Sequence, residues 1–194
     1  MARPRIHDAD LRERLIDVAI EIVGSKGLGA LSVRTAAQGA STSTTAVYSL
    51  FGSKDELTRA VLVRAFRRFS TAQRAALDAR TGEPLMDLGV AYVGWALANP
   101  RLYELMFVLT AVGIEPSPET SAAGVEAFTP LHDAVCQAIE SGTFRRADPM
   151  TVAASLWSQV HGAALLLLAG LFPESADPAL AIGAIVDGWR AAPR

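Results

Sequence analysis

Three times in this 194-residue chain an Asp or Asn stands directly before Pro at the head of an apolar stretch: Asn99-Pro100, Asp148-Pro149 and Asp177-Pro178. An acidic or amide side chain accepts from the free N–H groups at a helix start, and Pro at the first helical position surrenders an N–H that lacks a partner there anyway. Ser32, Ser53 with Glu56, and Asp10 with Glu13 give further start signals. Strand-like alternation is absent, and 35 alanines favour helix throughout. The chain is therefore expected to be all-α, with about nine helices.

Apolar spacing fills in the elements. Leu11, Leu15, Ala19, Ile22 and Val23 run to Gly24, and Gly27 and Gly29 stop the helix. A short helix follows from the Ser32 cap to Ala37, with Val33, Ala36 and Ala37 on one side, then a polar break at residues 39–43 and a second short helix over Thr44 to Leu50. A long helix leads from Ser53 toward Arg80, with Leu57, Val61 and Phe69 inward. Leu85, Leu88, Tyr92 and Trp95, then Leu102, Leu105, Met106 and Leu109, mark the next two. Val125, Phe128, Leu131, Val135 and Ile139 mark another, restarted at Thr129-Pro130 and ending at Ser141-Gly142.

The formal net charge of −2 hides +5 over residues 1–80 and −7 over residues 81–194. A basic head attracts a polyanion while an acidic body keeps the remainder off it. The reversal coincides with Thr81-Gly82-Glu83-Pro84, the expected domain junction, which separates a head of residues 1–53 and the helix from residue 54 from a body of residues 84–194. Val152 to Phe172 carries no charge and is long enough to span a bilayer, but Ser155, Ser158, Gln159 and His161 inside it favour a buried or interface helix over a membrane span. One cysteine, Cys136, and an N-terminus without an apolar core fit a cytoplasmic protein without a signal peptide. His7, His132 and His161 show no metal-ligand spacing, and no nucleophile, phosphate or dinucleotide fingerprint is present, so neither an enzyme nor a cofactor is expected.

Two short helices joined by a polar turn and braced by neighbours form the pattern of a helix-turn-helix. Turned at about 100° per residue, the second of them gathers Ala46, Val47 and Leu50 on one side and Thr44, Thr45, Tyr48 and Ser49 on the other. Hydroxyls and a phenol can approach phosphates and base edges closely without charge. The segment Leu31-Ser32-Val33-Arg34 through Val47-Tyr48-Ser49-Leu50-Phe51-Gly52-Ser53-Lys54-Asp55-Glu56-Leu57 resembles the DNA-binding domain of the TetR family of transcriptional regulators, over about residues 8–66. The resemblance implies phosphate contacts from Tyr48 and Lys54, major-groove contacts from Thr44 and Thr45, and backbone contacts from Ser32, Arg34 and Thr35. Ser43 and Ser49 complete the expected DNA face. Arg3 and Arg5 are a weaker candidate for an arm reaching the backbone or minor groove. Ser41 stands where the family turn usually has Gly, with Gly39 before it, so a strained turn is expected. Ala36 and Thr42 occupy places where larger apolar residues are usual.

The body carries a narrower resemblance. Residues 99–107 and Leu156-Trp157-Ser158-Gln159-Val160-His161-Gly162-Ala163 are similar to the WHG-type C-terminal domain, which marks a subgroup without naming a ligand. Tyr92, Trp95, Tyr103, Phe107, Phe128, Trp157 and His161 are the candidates for an effector pocket between helices, with core packing as the rival role for each. Leu156, Val160, Ala163, Ala164 and Leu167 with Ile182, Ile185 and Trp189 form two apolar stripes, which the resemblance implies pair two copies into a homodimer. The implied protein is a dimeric repressor, released from an inverted-repeat DNA operator by a small hydrophobic effector. The alternative is a ligand-binding helical dimer without sequence-specific DNA binding, against which Tyr48, Lys54 and the +5 head weigh.

Overall fold

A computed structural model describes residues 5–79, 83–108 and 113–192, with side chains described from residue 8 and not for residue 108. Among these residues are nine α-helices: α1 (Arg5–Lys26), α2 (Val33–Gly39), α3 (Thr44–Phe51), α4 (Lys54–Ala79), α5 (Pro84–Ala98), α6 (Pro100–Val108), α7 (Pro118–Glu140), α8 (Pro149–Leu168) and α9 (Pro178–Trp189). A single 3₁₀ turn, Leu28–Ala30, separates α1 from α2. The all-α expectation holds. Arg3, the Arg5 side chain, Thr81, Gly82 and Leu109 lie outside what is described.

The caps explain most of the boundaries. Ser32 Oγ accepts from the Thr35 N–H at 3.0 Å, and Thr35 Oγ1 accepts in return from the Ser32 N–H at 2.9 Å. Ser43 Oγ accepts from the Ala46 N–H at the head of α3. Asp148 and Asp177 cap α8 and α9 with Pro next in line. Ser53 caps α4 through the Glu56 N–H, but the Glu56 carboxylate pairs with Arg59 instead of closing a capping box.

Other expectations need correction. Asp10 is no cap, because α1 already starts at Arg5: nothing between Arg5 and Asp10 is Gly or Pro, so nothing stops the helix from extending backward. It also runs past Gly24 to Lys26 and ends at Gly27, whose φ of +82° requires a residue without a side chain. α7 is one helix carrying Pro130 within it. Its inward side is built from Ala123, Ala127, Ala134 and Val135, while Val125 is exposed.

The described chain groups into two units, Met1–Arg67 with Asn99–Gly124, and Arg68–Ala98 with Val125–Arg194. In the first, α1 packs on α2, α3 and α6 around Leu15, Ala19, Val23, Ala36, Val47, Leu57 and Val61. Gly39 lets α2 lie against α1, since a Cβ there would sit 2.5 Å from Val18 Cγ1. In the second, α5 packs on α8 and α9 around Leu88, Val135, Phe144, Val152, Ala153 and Val186. Gly89 is the contact point, a Cβ there falling 2.7 Å from Ile182 Cγ2.

The turn between α2 and α3 closes with the Thr42 N–H donating to Ala37 O and the Ser41 N–H to Gln38 O, the hydrogen bonds of a Schellman ending. That motif needs a left-handed residue, and Ser41 takes it at φ +52°, the one non-Gly residue with positive φ among those described. Left-handed backbone costs an L-residue about 1–2 kcal/mol, part of which Gly returns through a freer unfolded chain. Ser41→Gly is therefore expected to stabilise by about 0.5–1 kcal/mol in a denaturant titration. A loss of stability would show that the Ser41 side chain contributes more than its strain costs.

Candidate nucleic-acid interface and effector pocket

The outward side of α3 carries what the sequence places there. Thr44, Thr45, Tyr48 and Ser49 are exposed, Tyr48 at 55%, while Val47 and Phe51 are buried beneath them. Phe51 was not among the expected inward residues; it packs under the guanidinium of Arg12, 5.2 Å from the ring centre. Arg34 and Lys54 are exposed too, and among the described residues neither has an acidic partner. By contrast Arg64 engages Glu13 and Asp17, and Arg59 engages Glu56 and the Glu115 carbonyl. The first unit thus neutralises several of its acids internally and leaves Arg34 and Lys54 outward.

The nine expected DNA residues divide by what their polar atoms already do. Ser32, Thr35 and Ser43 hold helix caps, and Thr35 Oγ1 also donates to backbone carbonyls. A capping Ser oxygen that accepts from an N–H still has its own O–H to donate to a phosphate. The side chains of Arg34, Thr44, Thr45, Tyr48, Ser49 and Lys54 make no hydrogen bond or ion pair within the described residues, so their donors and acceptors are available. Gly52, at φ +76°, ends α3 and turns the chain into α4, which begins at Lys54.

Of the seven pocket candidates, five fall in the second unit. Tyr92 Oη lies 3.0 Å from His161 Nδ1 and accepts from the Trp157 indole N–H at 3.3 Å. Phe69 stands edge-on to Tyr92 and to Trp95, at 5.1 and 5.2 Å, and Phe128 edge-on to Trp157 at 5.9 Å. Tyr103 and Phe107 fall in the first unit, where their rings meet at 5.0 Å. A cavity of about 30 Å³ lies in the second unit, walled by Leu85, Leu88, Leu156, Val160, Ile182 and Val186 among others, and Tyr92 is the one pocket candidate that lines it. Its other polar walls, Gln73 and Gln159, were not among the candidates. Gln73 continues the four-residue stepping of Leu57, Val61 and Phe69 along α4, and that spacing could have pointed to it. It is buried, with its amide N–H donating to Ala127 O at 2.9 Å.

Burial holds the His161 imidazole below its ordinary pKa. The unfolded chain then takes up this proton at a higher pH than the folded one does, so the contribution of His161 is complete above the ordinary histidine value. It is lost as pH falls from there toward the folded value. Denaturant titrations across that window are expected to lose stability less steeply in His161→Gln than in the parent; equal slopes would show that His161 titrates as if exposed.

Of the stripes expected to pair two copies, five residues turn into the protomer and three stay partly open. Leu156, Val160, Ala163, Ala164 and Ile182 are buried within the protomer, and Leu167, Ile185 and Trp189 are half-buried. The Trp189 indole N–H donates to Ser155 Oγ at 2.9 Å, and Arg145 stacks on its ring at 4.5 Å. Leu156, Ile185 and Trp189 join the core on which α5, α8 and α9 pack. The outward side of α8 is instead Ala154, Trp157, Ser158, Leu165 and Leu166. α8 is also the one helix among the described residues long and apolar enough to cross a membrane, a property that a bundle helix shares.

A pair of short, hydroxyl-capped helices joined by a tight turn, with an open polar face and only helices around it among the described residues, is a helix-turn-helix of the kind found in transcriptional regulators. A family model for bacterial regulatory proteins of the tetR family matches residues 15–61, and one for a tetracycline repressor-like C-terminal domain matches residues 85–188. The chain belongs to the TetR family. It is 26% identical over 148 residues to the HTH-type transcriptional regulator Rv1816 of Mycobacterium tuberculosis, an alignment covering 72% of this chain and 63% of that protein. A protein of unknown function from Rhodococcus sp. RHA1 shares the fold with a TM-score of 0.81 at 24% identity, over 93% of this chain and 96% of that one. The multidrug binding protein EbrR, solved with imidazole, is 25% identical with a TM-score of 0.66, over 94% of this chain and 96% of that one.

Proposed function

We propose that the protein is a cytoplasmic homodimeric repressor that binds an inverted-repeat operator and releases it when a small uncharged molecule enters the second unit. The observation that carries this reading is the open face of Thr44, Thr45, Tyr48 and Ser49, with Arg34 and Lys54 also outward and uncommitted. The cations supply affinity through phosphates, and the face of α3 supplies fit to the major groove. A two-fold dimer presents two such faces about 34–36 Å apart, which calls for inverted half-sites. The outward side of α8 supports the dimer, because Ala154, Trp157, Ser158, Leu165 and Leu166 leave a helix-long surface without one charge.

Effector chemistry follows from the cavity walls. They hold aliphatic side chains, one phenol and two amides, and no Asp, Glu, Lys or Arg. A charged ligand would lose its hydration there without gaining a counter-ion, so the fitting class is neutral and largely apolar, with a group for Gln73 or Gln159 to bond. Such a ligand weakens DNA binding to the extent that it prefers the form unsuited to the operator, typically by about 1–3 kcal/mol.

Fluorescence anisotropy on DNA from upstream of the protein's own gene, against scrambled duplex across a salt series, tests the reading. Sequence-preferring binding that weakens with salt is expected. Equal, weak binding to both duplexes, together with no enriched site in a genome-wide selection, would leave a ligand-binding dimer in its place.

A further inference from the structure

The sequence of α3 is Thr-Thr-Ala-Val-Tyr-Ser-Leu-Phe, and it contains no Arg, Lys, Asn or Gln. Those are the side chains behind the strongest base contacts in the major groove: Arg and Lys bond O6 and N7 of guanine, and Asn and Gln bond N6 and N7 of adenine. A recognition helix without them retains two tools. Hydroxyls both donate and accept, so they match almost any base edge and discriminate little. Threonine γ-methyls gain only by covering another apolar group, and the C5-methyl of thymine is the apolar group that base edges present in that groove.

Placement narrows the readers. The N-terminal residues of a recognition helix are the ones that meet base edges. Here those are Thr44 and Thr45, the first two residues of α3, both exposed and neither tied to a cap. Ser43, directly before them, has its oxygen committed to the Ala46 N–H. Tyr48 and Ser49 lie one turn further along, and neither carries a methyl.

We propose that Thr44 and Thr45 read thymine methyl groups, so that each operator half-site places thymines opposite the start of α3. The inference rests on the DNA-binding reading above and adds the chemical group that is recognised. It also assigns α3 a specificity without guanine contacts, leaving Arg34 and Lys54 to the sugar-phosphate backbone.

The test begins with a selection of the full-length protein on a random-sequence duplex pool. Each thymine of the enriched duplex is then replaced by deoxyuridine, which removes the methyl and keeps every hydrogen-bonding atom. Binding is expected to weaken about fourfold for each contacted methyl, the worth of one buried methyl-sized group. That penalty should disappear at one thymine in Thr44→Ser and at another in Thr45→Ser, and persist in Thr45→Val, which retains a methyl and loses the hydroxyl. An enriched duplex indifferent to deoxyuridine at every position, or one that weakens on 7-deazaguanine instead, overturns thymine reading and leaves DNA binding intact. A pool that yields no enriched sequence removes sequence-specific binding itself, and this inference with it.

Discussion

Lys54→Ala is expected to weaken operator binding on the order of 100-fold. A charge-assisted bond from an ammonium to a phosphate is worth about 1.5 kcal/mol, and a dimer loses two, so about 3 kcal/mol disappears. The slope of log affinity against log salt should fall by about 2, one phosphate per protomer. Lys54 is exposed and has no ion pair among the described residues, so the melting temperature should barely move. Affinity and slope must fall together. A weakened complex with an unchanged slope would mean that Lys54 acts on the shape of the α3–α4 turn and touches no phosphate.

Tyr103→Ala is expected to cost about 3–5 kcal/mol of stability, as truncation of a buried aromatic ring usually does. Tyr103 is 1% exposed and its ring rests against Phe107. For a chain of this length such a loss lowers the melting temperature by roughly 10 °C or more. Because α6 packs on α1 within the first unit, amide exchange should quicken in α1. If α1 stayed protected while α5 and α8 lost protection, α6 would belong energetically to the second unit.

The helix starts were legible because their instructions are local. Ser32, Asp148 and Asp177 act within three residues of where they stand, and all three cap the helices that they head. The hydroxyl face of α3 follows from helical rotation alone. Where sequence reading failed, the deciding partner was distant. α8 has no charged side to announce its orientation: one apolar stripe, through Leu156 and Val160, is buried, and another, through Leu165 and Leu166, faces outward. Burial of apolar surface has no direction, so periodicity finds both stripes and cannot tell which one the chain itself covers. α6 follows the charge reversal in sequence, yet its contacts with α1 put Tyr103 and Phe107 among the N-terminal helices. In α7, Phe128, Leu131, Val135 and Ile139 meet the core as their spacing implies, while Val125 is exposed and the small Ala123, Ala127 and Ala134 are buried.

The cavity beside Tyr92 has consequences for time as well as for affinity. At about 30 Å³ it holds one water-sized object, and its walls come from α4, α5, α7, α8 and α9 at once. On the proposed function, an organic molecule would fit there only as those side chains repack, so its binding would wait on an opened form of the protein. Capture would then run slower than encounter, and its observed rate would level off as ligand is added, at the rate of opening itself. On the proposed function, the delay between the arrival of an effector and the release of DNA would then be set by the packing of Leu85, Leu156 and Ile182 more than by the chemistry of the effector.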